Sequence, residues 1–249
     1  MSTSYSALCS DFYINQKLAL KMDLPTSRET VLDLFSRIRK SIPVLERFRR
    51  YEGELSLESP VRNGQYAWMG LRQTCIKSGW VNPDDLEEAY KLHHLLLEIC
   101  PYFLSISPLD VEYVELVFGF DLQAEGNHDA IVFEALLSGT PLGRLLEEEE
   151  AQAIDVQPFL GMNLKQGKDL HAFYEIKTRS TSRSTRSGEY SPEPISIYLT
   201  IRRYGAVNQP EDLLEVFTEL RVNSEKLVEE HVIPDLLTPL RDTIGLSGF

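Results

Sequence analysis

Two runs carry side chains whose types and spacing could support recognition. They are YAWMGLR at 66–72 and ISIYLTIR at 195–202, and in each an aromatic residue stands four places before an arginine: Trp68 with Arg72, Tyr198 with Arg202. Both runs alternate with period two, which sends successive side chains to opposite faces of a strand. Ala67, Met69 and Leu71, and likewise Ile195, Ile197, Leu199 and Ile201, are expected to face a core. Tyr66, Trp68, Gly70 and Arg72, with Ser196, Tyr198, Thr200 and Arg202, are expected to face away. Neighbouring runs offer Lys17, Lys21, Lys165, Phe173 and Lys177 to the same side. Rings interleaved with cations can stack a planar group and neutralise an anionic one. The candidate ligand-binding residues are therefore Tyr66, Trp68, Arg72, Lys177, Tyr198 and Arg202. Glu52, Glu54, Glu58 and Glu175 share that face and dilute its charge. A wet sheet face also carries such residues with no ligand at all, and a protein contact would use them equally well.

No pattern of catalytic type stands beside this set. HExxH, GxSxG, a P-loop and a dinucleotide fingerprint do not occur in the sequence. His93 lies on an apolar helical stripe and reads as a hydrogen-bonded core residue. His94 and Glu98 have helical metal-ligand spacing, but two ligands do not make a site. His128, His171 and His231 are scattered. Neither a cofactor nor a metal is expected, and no residue is assigned as catalytic. A dispersed site assembled only in space stays open as the least favoured alternative.

Two biased segments remain. KTRSTSRSTRSGEYSPEP at 177–194 has four basic residues and no acid between Ile176 and Gly188, and reads as a flexible polar hairpin loop. EEEE at 147–150 reads as a solvated helix end. Carried back by 98 residues, Glu147 and Glu148 fall on Arg49 and Arg50, inside a basic stretch from Arg37 to Arg50. Complementary patches at equivalent places could steer two halves, or two chains, together.

The bulk numbers limit the function classes. The net charge is −13, from 25 basic and 38 acidic residues. Residues 1–110 carry 13 basic and 14 acidic side chains and residues 111–249 carry 12 and 24, so the acidity sits in the second part. That balance disfavours nucleic acid and anionic membranes as partners. No apolar run is long enough to span a bilayer, and the N-terminal residues do not resemble a secretion signal. Three scattered cysteines suit reduced thiols and a cytoplasmic setting.

The elements that must position these residues recur along the chain. LALKMDL at 18–24 and LVFGFDL at 116–122 lie 98 residues apart, and the same offset places Phe35 on Phe133 and Pro43 on Pro141. WVNPDDLEEAY at 80–90 is rewritten as AVNQPEDLLEVF at 206–217, each where a strand pattern gives way to a helix pattern. Ordered matches of this kind suggest a duplication. The first copy reads as a strand over 13–24, a helix opened by a Thr26–Glu29 capping box and stopped at Pro43, strands over 50–58 and 65–76 turned by Asn63-Gly64, and a helix after Pro83. The second reads as a strand over 112–122, a helix from 128 capped by Asn127, strands near 157–165, 171–179 and 195–204, and a long helix from 210 that Pro234 should break or bend. The expected fold is α+β, an internal duplication of a β-α-β-β-α unit, with antiparallel sheets backed by helices on one face, in a ferredoxin-like or saddle-like duplicated architecture. The expected repeats are 1–104 and 105–249, the second with an extra strand, and the two could be fused into one domain.

These features favour a soluble intracellular, non-catalytic interaction protein that binds a protein partner or itself through its surfaces. The alternative is a module for an anionic or nucleotide-like ligand on the open sheet face.

Overall fold

A computed structural model describes residues 5–25, 27–146, 148, 152–165 and 169–247. It is α+β, with a single nine-stranded antiparallel sheet. The first half contributes β1 (Asp11–Leu20), α1 (Arg28–Ser41), β2 (Arg47–Tyr51), β3 (Glu54–Glu58), β4 (Tyr66–Arg72), β5 (Cys75–Val81) and α2 (Leu86–Phe103). The second half contributes β6 (Val111–Leu122), α3 (His128–Leu136), β7 (Phe159–Asn163), β8 (Leu170–Lys177), α4 (Ser182–Ser187), β9 (Ile195–Tyr204) and α5 (Asp212–Leu227). A π-helical stretch, Val228–Leu237, then joins α5 to α6 (Thr238–Ser247).

The strand order is β2-β3-β4-β5-β1-β6-β9-β8-β7. β1 and β6 pair at the centre, so the sheet runs unbroken across residues 104 and 105. Alternation decides which face is covered. Phe12, Ile14 and Leu18 of β1, Leu116, Phe118 and Phe120 of β6, and Ile197, Leu199 and Ile201 of β9 are fully buried on the helix side. α5 packs across β6 and β9, α2 packs on β5 and β1, and α1 lies against α2. Among the described residues the opposite face has no helical layer.

Several boundaries differ from the sequence expectations. The run 50–58 is two strands, β2 and β3, turned at Glu52-Gly53, where Gly53 takes φ 71°. The run 65–76 also divides, because β4 and β5 turn at Gln73-Thr74 with neither residue at positive φ. Among the described residues the first half therefore has five strands and the second four; the extra strand lies in the first half, and the simple β-α-β-β-α pattern does not describe either. Asn63 (φ 51°) and Gly64 (φ 78°) do form the tight turn that their types dictate. Pro234 does not break the last helix. The backbone widens into the π-helical stretch around it, which accommodates a residue with no N–H and a ring crowding the preceding turn. Within 177–194 a six-residue helix forms, capped by Thr181 and closed by Gly188 at φ 72°. Thr26 lies outside the described residues, and Ser27 caps α1, its Oγ accepting from the Thr30 N–H at 3.2 Å. Glu147, Glu149 and Glu150 also lie outside the described residues.

Candidate functional site

The uncovered face can be traced in rows of directly paired residues. One row runs Glu58, Trp68, Gly79, Asn15, Val117, Thr200, Phe173, Gly161 from β3 to β7. The next runs Gly70, Lys77, Lys17, Glu115, Arg202, His171 from β4 to β8. Every candidate residue chosen by parity does lie on this face.

The candidates do not form one cluster. Tyr66, Trp68 and Arg72 stand on β4, whereas Tyr198 and Arg202 stand on β9 and Lys177 at the end of β8. Three strands separate β4 from β9, a span of roughly 19 Å at the usual strand spacing. Counted outward from the β1–β6 pair, β9 occupies the place of β5, not of β4. The Trp68/Tyr198 and Arg72/Arg202 spacing is thus a likeness between strands at different depths in the sheet.

Each candidate cation is held by a carboxylate of its own chain. Arg72 Nε donates to Glu54 Oε2 at 2.5 Å. Partial burial pushes the Glu54 carboxyl up, but the Arg72 guanidinium and the Ser56 hydroxyl outweigh it and hold the group below its ordinary value. Lys177 Nζ lies 3.2 Å from Glu175 and 5.6 Å from the centre of the Tyr198 ring. Arg202 donates twice to Glu115, with Nε at 2.7 Å, and once to the Tyr204 hydroxyl at 2.6 Å. The rings of Tyr113 and Tyr204 lie 4.5 and 5.4 Å from its guanidinium carbon. This box of rings was not legible beforehand, because it needs Tyr113 on β6 beside Tyr204 on β9.

Sequence reasoning also missed the role of the glycines. A Cβ on Gly79 would stand 2.5 Å from Trp68 Nε1, one on Gly119 would stand 2.1 Å from the Tyr13 ring, and one on Gly161 would stand 2.9 Å from the Phe173 ring. In all three the aromatic is the glycine's direct cross-strand partner. Each ring covers a position where no side chain rises.

At the centre, Lys17 and Lys77 are directly opposite each other on β1 and β5. Among the described residues neither forms an ion pair. Lys17 Nζ donates to the Tyr113 hydroxyl. Like charges so placed repel, and an anion between them would relieve that repulsion.

Two further polar groupings are closed to solvent. Ser78 Oγ on β5 and His93 Nδ1 on α2 are 2.8 Å apart, but both residues are fully buried between strand and helix. Asp129 is fully buried, and its Oδ1 accepts from the Val156 N–H at 2.9 Å and the Thr178 hydroxyl at 2.6 Å. It ties α3 to the end of β8. A cleft of about 850 Å³ between α1 and the β2–β3 hairpin is lined by Arg28, Arg50 and Arg72 against Asp23, Glu52 and Glu54, so it carries no net sign. Among the described residues no helix is long and apolar enough to cross a membrane. No protein-family model matches the chain, and no curated protein matches it.

Proposed function

We propose that this is a non-catalytic interaction protein whose working surface is the uncovered face of the nine-stranded sheet. The three rings laid over Gly79, Gly119 and Gly161 carry this reading. Rings already held in place lose little entropy on docking, and aromatic residues concentrate at the centres of protein interfaces. Arg72, Arg202 and Lys177, fixed by Glu54, Glu115 and Glu175, would offer positioned donors around them. An intracellular setting is part of the proposal, supported by three free cysteines. So is descent of residues 1–104 and 105–249 from one duplicated unit, supported by a strand order that mirrors about β1 and β6. The test is photo-crosslinking in an extract of the source cells. A benzophenone side chain at position 66 or 198 should capture one discrete protein, and the same group at Lys91, exposed on α2, should not. Identical adducts from all three positions would remove the open face from consideration.

A second reading, an anionic ligand on the same face, is favoured by one observation: Lys17 and Lys77 are directly opposed, with no ion pair to either among the described residues. Its probe is a nucleoside triphosphate titrated against Trp68 emission in a Trp80→Phe background, which leaves Trp68 the sole tryptophan. Binding should alter that emission, and Lys17→Ala with Lys77→Ala should abolish the change. A flat titration in the parent would eliminate this reading and leave the first untouched.

A further inference from the structure

The two borders of the sheet are defended unequally. β2 places Arg47, Arg49 and Arg50 among its five residues, charges that discourage a further strand. β7, with the sequence FLGMN, has no charge, and all five residues are exposed. Counted from the centre, β7 holds the place that β3 holds on the other side. β3 is covered by β2, whereas β7, among the described residues, pairs on one side only, with β8.

The register shows which groups are left over. Ile176 donates its N–H to the Pro158 carbonyl at 3.0 Å, and Leu164 donates to the Leu170 carbonyl at 2.8 Å. The even-numbered residues of β7 therefore turn their backbone groups toward β8. The N–H and C=O of Phe159, Gly161 and Asn163 point outward. Among the described residues the helix layer leaves this border exposed. Leu160 and Met162 face the helix side, yet they are 64% and 41% exposed, and Phe159 on the other face is 60% exposed.

We propose that the β7 edge is the self-association site of this chain. A second copy pairs its own β7 antiparallel across a two-fold axis through Gly161 and joins two sheets into one. The strand is self-complementary in that register: Gly161 meets Gly161, Phe159 meets Asn163, and Leu160 meets Met162. The three outward residues of each copy then exchange about six backbone hydrogen bonds. The occupant is a second copy because an uncharged strand meets no like charge in its twin, and because one pairing covers both the outward backbone groups, unpaired among the described residues, and the exposed Leu160 and Met162. A β2–β2 pairing would set arginines against arginines. A β2-on-β7 pairing would propagate without closing, whereas the two-fold pairing consumes both β7 edges and leaves only arginine-guarded borders. Pairing at the β7 edge and docking on the open face do not depend on each other.

Sedimentation equilibrium and native mass spectrometry on the full chain test it. The parent should show twice its 28.5 kDa mass. Leu160→Lys with Met162→Lys sets lysine opposite lysine twice and should raise the dimer dissociation constant more than about tenfold. Leu160→Lys with Met162→Glu sets each introduced ammonium opposite the introduced carboxylate of the other copy and should restore the dimer. Both side chains are exposed in the single chain, so far-UV circular dichroism should match the parent throughout. A parent that stays monomeric up to its solubility limit would overturn the proposal, as would species larger than a dimer. A dimer insensitive to the double lysine, or a charge pair no tighter than the double lysine, would overturn it as well.

Discussion

Acid should destabilise this protein through one residue more than its exposure suggests. His93 on α2 is fully buried, with Nδ1 against Ser78 Oγ at 2.8 Å. Burial lowers its pKa from 6.5 to about 3. The imidazole is therefore neutral in the folded state at any pH above about 3. In the unfolded chain it titrates near 6.5. Below that pH the unfolded state binds a proton that the folded state refuses, so stability falls as pH falls. The stabilisation is intact above 6.5 and is lost progressively toward 3. One proton gives a slope of about 1.4 kcal/mol per pH unit. Between pH 6.5 and 4.5 the loss is about 2 kcal/mol, a sizeable share of an ordinary folding free energy of roughly 5–15 kcal/mol. The informative variant is Ser78→Ala with His93→Leu, which removes both partners and leaves no orphaned polar group. Urea unfolding of parent and variant at pH 7, 5.5 and 4.5 supplies the measurement. The carboxylates common to both chains cancel in the difference, so the parent should lose about 2.5 kcal/mol relative to the variant between pH 7 and 4.5. A difference that stays flat with pH would refute the assignment of His93 as a buried neutral base.

Asp129→Ala leaves the Val156 N–H and the Thr178 hydroxyl unpaired in the interior and should cost about 3 kcal/mol, whereas Asp129→Asn keeps an acceptor and should change stability by less than about 1 kcal/mol; equal costs in thermal unfolding would contradict this geometry. Gly79→Ala puts a methyl group 2.2 Å from Asn15 Oδ1 and 2.5 Å from Trp68 Nε1, so the ring must lift. It should cost about 1–3 kcal/mol and shift Trp68 emission to the red in a Trp80→Phe background, and an unmoved spectrum would argue against a ring lying on the glycine. Arg202→Lys replaces a fork that holds both Glu115 and Tyr204 by a single ammonium, and should destabilise by about 1–2 kcal/mol in denaturant unfolding. No loss would show that the box of rings does not depend on the guanidinium.

Much of the fold could be read from local pattern. Alternation in β4 and β9 correctly divided Ala67, Met69 and Leu71 from Trp68 and Arg72, and Ile197 and Leu199 from Tyr198 and Arg202. Asn63-Gly64 gave its turn, and Asn127 its cap, the Oδ1 accepting from the Asp129 and Ala130 N–H groups. The hairpin at Gln73-Thr74 could not be read that way. It needs no residue at positive φ, so no glycine or asparagine marks it, and β4 and β5 ran together as one apolar alternation. Tyr198 and Trp68 share a sequence spacing, but spacing does not record which strand neighbours which.

The sequence by itself determined which side of each strand is wet, because a period of two acts within a few residues and depends on nothing distant. Only the tertiary structure decided what stands beside what on that side. Trp68 lies over Gly79, Lys17 opposes Lys77, Arg202 sits among Tyr113 and Tyr204, and β7 ends the sheet, because cross-strand register joins residues up to about a hundred positions apart. Long-range packing of the β1–β6 centre sets that register, and no local preference encodes it.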